Sequence, residues 1–259
     1  TIRPEDLEGK VRIARDAGYD AIEPWEGELR EYEEGGGNLA DLGKAIAEAG
    51  LFVPSVIGLW DAIPATPEAF EAQWPATRAP IGAQQIQVIP GPRREAFDPV
   101  WAAQCYRKLL EVGRNDYGLR PALVFVAFLP GCKRLGQAAQ IALDTDHPEA
   151  AIIPDVFHMH IGGSGFRGLR HLSGDFIAIF QFNDAPADPP RDELKDHHRV
   201  FPGDGILPLE QSLRDLRDIG YTGCISLELY NRDYRERDLA DVAKEGRDKT
   251  LAVVERALA

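Results

Sequence analysis

The chain has 259 residues, with 42 acidic against 29 basic side chains and a formal charge of −13. That balance opposes the basic footprint of a nucleic-acid binder and favours a small polar partner. Three cysteines without CxxC spacing speak against a disulfide framework or zinc cluster and point to a reducing, cytoplasmic setting. No apolar run approaches the roughly 18 residues of a membrane span, and no charged-then-apolar leader opens the chain.

Residues 4–17 carry Leu7, Val11, Ile13 and Ala14 among charges, the spacing of an amphipathic helix that stops at Gly18. A strand over 20–24 follows. A second helix, 38–49, stops at Gly50 before a strand-like run, 51–57. The unit of helix, glycine and strand then recurs: a helix within 66–78 with a strand at 85–89, a helix at 99–115 with a strand at 122–128, and a helix at 135–143 with a strand at 151–154. After a glycine-rich loop come a strand at 176–182, a helix at 207–219, a strand at 224–229 and a closing helix at 238–257. Pro75 and Pro80 fall where the helix of 66–78 should continue, so it must be short or broken there.

Seven strands alternating with helices call for a parallel sheet with right-handed crossovers. No GxGxxG follows the first strand, which disfavours a doubly wound sheet. Polar residues instead gather where strands end, at Glu23, Asp155, Gln181 and Glu228, as on the catalytic face of a (β/α)8 TIM barrel. One barrel domain over 1–259 is expected. The chain begins at Thr1 and its one methionine is Met159, so the eighth strand of a closed barrel is expected before Thr1.

The acid at the end of YTGCISLELY, Glu228, closes an apolar strand, where an isolated carboxylate is costly unless it is paired, metal-bound or catalytic. Asp155 opens DVFHMH, placing a carboxylate and two imidazoles, His158 and His160, within six residues. Oxygen and nitrogen donors of this kind suit Mg²⁺, Mn²⁺ or Co²⁺, and hydrogen-bonded histidines on a loop would account for the cluster equally well. Glu23 also ends a strand, with Pro24 and Trp25 beside it.

The segments AGYDAIEPW (17–25), PDVFHMHIGGSGFRGLRHLSGDF (154–176), QFNDAPADPPRDEL (181–194), HRVFPGDGILPL (198–209) and SLELYNRDY (226–234) together resemble the sugar phosphate isomerase/epimerase family of xylose isomerase-like TIM barrels. The resemblance implies a divalent ion held by Glu, Asp, His and Glu at successive strand ends, acting on a ketose, polyol or keto-sugar through metal-assisted proton transfer. It places Asp155 and Glu228 on two of those ligands. At the other two positions this chain offers Val124, which cannot ligate, and Gln181, a neutral amide oxygen, so the ion is expected to be held weakly or lost. The resemblance also implies that Glu228 and His158 are catalytic and that His158, Arg199, Trp60 and Glu23 face the substrate. Arg199 has a structural alternative in pairing with Asp184 or Asp204, and Trp60 in the core; His147, His171 and His197 read as surface or capping residues.

The expected function is therefore a sugar isomerase or epimerase with an altered metal site. Its rivals are a degenerate sugar-binding or partner-binding barrel and, after it, a related dehydratase. The endonuclease branch of the superfamily would need more ligands and a basic surface. The expected partner is a small sugar or polyol, without nucleic acid or membrane, and nothing in the sequence opposes a homo-oligomer.

Overall fold

The structure, a computed structural model, describes residues 1–60, 62–63, 81–91 and 98–259. Among these residues six strands run parallel: β1 (Ser55–Ile57), β2 (Gln85–Val88), β3 (Arg120–Val124), β4 (Ile152–Ile153), β5 (Phe180–Phe182) and β6 (Ile225–Leu227). Single parallel bridges from Ala21 to Phe52 and from Trp25 to Ile57 set residues 20–25 beside β1, and bridges Ile152–Ile177 and Asp155–Gln181 join β4 to β5. The row thus reads 20–25, β1, β2, β3, β4, β5, β6. It curls until its ends meet through side chains, the Ser226 hydroxyl donating to the Glu23 carboxylate. At this seam Thr1 Oγ1 donates to Leu227 O at 2.8 Å and accepts from Leu229 N–H at 3.2 Å.

Alternation along the strands separates two apolar layers. Leu123, Ile152, Phe180 and Phe182 pack outward on the helices, whereas Ala122, Val124, Ile153 and Ile179 fill the barrel interior. The outer helices start where the sequence supplies caps. Asp6 accepts from Gly9 N–H, Asn38 from Ala40 and Asp41, and Asp98 from Val100 with Pro99 in the first turn. Gly18 closes the helix Leu7–Ala17 at φ 82°, a left-handed conformation that costs glycine little.

Several elements differ from the sequence reading. A helix, Glu26–Glu34, follows the first strand, and DVFHMH is a helix rather than a loop, Val156–Gly162, capped by Asp155. Residues 174–176 form a 3₁₀ turn, so the strand of 176–182 shortens to β5. The helix predicted within 66–78 lies outside the described residues. Among those that are described, no helix is long and apolar enough to cross a membrane.

Candidate functional site

At the C-terminal ends of β4 and β6 the chain buries a guanidinium between two carboxylates. Arg199, fully enclosed, directs Nη1 to Asp155 Oδ2 at 2.6 Å and to Glu228 Oε2 at 3.1 Å. Its Nη2 meets Asp196 Oδ1 at 2.9 Å and His158 Nε2 at 3.1 Å, and its Nε donates to Asp196 at 3.3 Å. Guanidinium has five N–H donors and no acceptor, so these five contacts commit all of them inward. The His158 contact needs a lone pair on Nε2. The imidazole proton is therefore assigned to Nδ1, and the Ala127 N–H at 3.4 Å from Nδ1 is a close approach rather than a donation.

Local sequence explains the placement. Asp155 leaves β4 and caps the helix Val156–Gly162, its Oδ1 accepting His158 N–H at 2.9 Å, which leaves Oδ2 for Arg199. Glu228 follows β6, and two residues later Tyr230 returns on the same side to donate its hydroxyl to Glu228 Oε1 at 2.8 Å. The rings of Phe157 and Tyr230 lie 5.0 and 5.1 Å from the Arg199 carbon, and Asn231 Nδ2 holds the Arg199 carbonyl at 3.0 Å. Asn183 Nδ2 reaches both Asp155 Oδ2 and the Glu228 carbonyl.

The segment that carries Arg199 is itself pinned. Asp184 and Val200 exchange backbone hydrogen bonds, and the buried Asp184 carboxylate accepts from Ala185 and Leu207 on one oxygen and from Gly203 and Gly205 on the other, at 2.8 to 3.1 Å. A Cβ at Gly205 would strike that carboxylate and the Ala185 carbonyl.

Electrostatics separate the two acids. Burial works against the charge on Asp155, but Arg199 and the backbone N–H of His158 hold its carboxyl below the usual range. For Glu228 burial dominates over Arg199, and the nearby Asp155 adds to it, so its carboxyl is pushed up. Burial also drives His158 down, with Arg199 reinforcing it against Asp155, so the ring is neutral.

A second chain of polar groups crosses the barrel beneath. Gln181 Nε2 donates to Gln87 Oε1 at 3.2 Å, Gln87 Nε2 donates to Glu23 Oε1 at 3.0 Å, and Ser226 donates to the other Glu23 oxygen. Burial raises the Glu23 carboxyl to about 7, against the two hydrogen bonds it accepts. Trp60 stacks on Trp25 with centroids 5.9 Å apart and planes 13° from parallel. A cavity of about 730 Å³ runs along the seam, from Tyr19 and Gly223 at one end to Trp25, Glu228 and Tyr230 at the other.

The structure therefore brings Asp155, His158, Arg199 and Glu228 together. It places Glu23 and Gln181 in a separate network, and Trp60 in an aromatic pair. Arg199, expected from the sequence to face the substrate, has its donors on Asp155, Glu228, Asp196 and His158, and it pairs with neither Asp184 nor Asp204. Tyr230, Asn183, Asp196 and Gln87 were missed. Only Tyr230 carried a usable signal, its spacing two residues after a strand-end acid.

The family described as xylose isomerase-like TIM barrel matches residues 11–252. This chain belongs to that family. An inosose isomerase of Bacillus licheniformis is 30% identical over 144 residues, 55% of this chain and 51% of the relative. A 3-dehydroshikimate dehydratase of Pseudomonas aeruginosa is 26% identical over 96% of this chain and 40% of its own length. The chain spans about half or less of the length of these curated relatives. A solved structure of the IOLI protein with a bound zinc atom superposes with a TM-score of 0.87 at 21% identity, covering 98% of this chain and 95% of that one, which shows the shared fold.

That neighbour holds a zinc atom, but the residues of this chain do not fit such an ion. Val124 lies in the apolar interior, and the Gln181 amide is engaged by Gln87. Asp155 and Glu228 point their inner oxygens at one guanidinium nitrogen. Among the described residues no three His, Cys, Asp or Glu side chains are placed to hold a metal ion.

Proposed function

We propose that this barrel acts on a keto-sugar or cyclic keto-polyol and moves a proton at the carbon next to the carbonyl, in the manner of an isomerase or epimerase. The observation that carries this reading is Glu228: a buried carboxylate at the end of β6, its proton affinity raised, with one oxygen on Tyr230 and the other on Arg199. A base tuned upward in this way is suited to abstracting a weakly acidic C–H proton near neutral pH and returning it on the same face. The fixed charge of Arg199 and its two ring walls hold the carboxylate in place. The inosose isomerase and dehydratase relatives support the substrate class, since both reactions can open with that proton removal. Trp25, with Trp60 stacked on it, lines the same cavity as Glu228 and Tyr230 and gives the site an aromatic wall.

The test is exchange of substrate C–H for solvent deuterium, followed by NMR over a panel of keto-inositols, ketoses and 3-dehydroshikimate. Wild type should exchange and Glu228→Gln should not, with unchanged circular dichroism. No exchange with any member of the panel overturns the reading. A barrel that binds sugar without turnover is favoured by Val124 and by the enclosure of Arg199, and saturable binding without exchange would establish it.

A further inference from the structure

We propose that the Arg199 guanidinium is the resident cation of this barrel, occupying the place between Asp155 and Glu228 where the family holds a metal ion, so that the site is metal-independent. One nitrogen, Nη1, bridges the two carboxylates that an ion would have to bridge, at 2.6 and 3.1 Å. A divalent ion could reach those oxygens only by expelling a cation that is fully enclosed and paired three times, since Asp196 is its third acid. Removing a partner from such a buried group is strongly unfavourable.

The shape of the surroundings agrees. The rings of Phe157 and Tyr230, each about 5 Å from the guanidinium carbon, form a slot for a planar, weakly hydrated cation. A spherical ion that keeps its water gains little from two ring faces. His158 turns a lone pair toward Nη2, so the imidazole nitrogen that could ligate is already an acceptor for the guanidinium. The two departures from the family's ligand set then become consequences of one exchange. With the charge supplied by a side chain, Val124 and Gln181 no longer need to be ligands. Arg199 is accordingly a positioning residue: it fixes the charge and orientation of Glu228 and keeps no donor for the substrate.

The inference rests on the same site as the proposed activity, but it is read through metal binding, so the two can fail separately. Protein dialysed against EDTA is titrated with MnCl₂ by calorimetry, and its thermal midpoint is followed with and without the ion. Wild type should bind no tighter than about 1 mM, the range of weak, unspecialised sites, and its midpoint should not move. Arg199→Met, which leaves two uncompensated carboxylates, should bind Mn²⁺ at least roughly tenfold more tightly and recover part of its lost midpoint when the ion is added. Stoichiometric micromolar binding by wild type overturns the proposal, and that arm decides even where the variant does not fold. A folded Arg199→Met with no gain in affinity also overturns it, because the guanidinium would then not be standing in the ion's place. Where wild type exchanges substrate protons, EDTA should leave that rate unchanged, and a loss restored by Mn²⁺ again refutes metal independence.

Discussion

Replacing Asp184 by Asn tests the bracing of the whole site at one pair of atoms. The carboxylate is 1% exposed and takes four backbone N–H groups, two on each oxygen. An amide keeps one oxygen and turns an NH₂ toward the other pair. Whichever way it flips, two buried N–H donors face a third donor. Each unsatisfied buried donor costs about 1–3 kcal/mol, and the remaining two bonds lose their charge assistance, giving a total near ~4 kcal/mol. For a chain of this size that corresponds to a fall of roughly 8–16 °C in thermal midpoint. Urea unfolding with an unchanged m-value should give the same free energy, since the folded state keeps its compactness. A loss below about 1 kcal/mol would mean that the four N–H groups find other partners. The role assigned to this carboxylate, and the rigidity argued for the segment bearing Arg199, would then fall.

Other outcomes follow from the same packing. Because burial raises the Glu23 carboxyl from 4.5 to about 7, the folded chain holds that proton more tightly than the unfolded one. Its contribution is complete below the unfolded value and is lost as pH climbs through the window to about 7; Glu23→Gln should flatten the stability profile there, and an unchanged slope counts against it. Tyr106→Phe should cost about 2 kcal/mol by denaturant titration, since the buried hydroxyl shares its one proton between the carbonyls of Pro121 and Ala151 and accepts the Ala151 N–H. Gly205→Ala should cost about 1–3 kcal/mol or more through the clash with Asp184, and a neutral effect would show the loop can shift. Val124→Glu with Gln181→His should leave Mn²⁺ affinity low while Arg199 is present and raise it once Arg199→Met is added; a rise in the double variant alone refutes the blocking role of the guanidinium.

Much of the barrel was legible because its signals are local. Periodic apolar residues, the glycines that stop helices and the acids at strand ends needed no knowledge of the third dimension. The helix Val156–Gly162 was missed because its seven residues are too short for a 3.6-residue pattern to declare itself, although Asp155 before it was a readable cap. The pairing of Arg199 was illegible for another reason. Sequence offered Asp184 and Asp204; of its actual partners Asp196 lies three residues back, whereas Asp155 and Glu228 lie 44 and 29 residues away and meet only when β4 and β6 end on one face.

The row of amides from Gln181 through Gln87 to Glu23 bears on how such a barrel can change with time. Each donor in the row is oriented by the next acceptor, ending on the two Glu23 oxygens, which accept from Gln87 and Ser226. A histidine at 181 would replace the amide that donates to Gln87 Oε1, and a glutamate at 124 would put a carboxylate into an apolar interior. Every single step back toward a metal-binding ligand set is thus penalised before the last one brings a reward. On the proposal that Arg199 is the resident cation, the arrangement acts as a ratchet: gaining an ion would require several substitutions together.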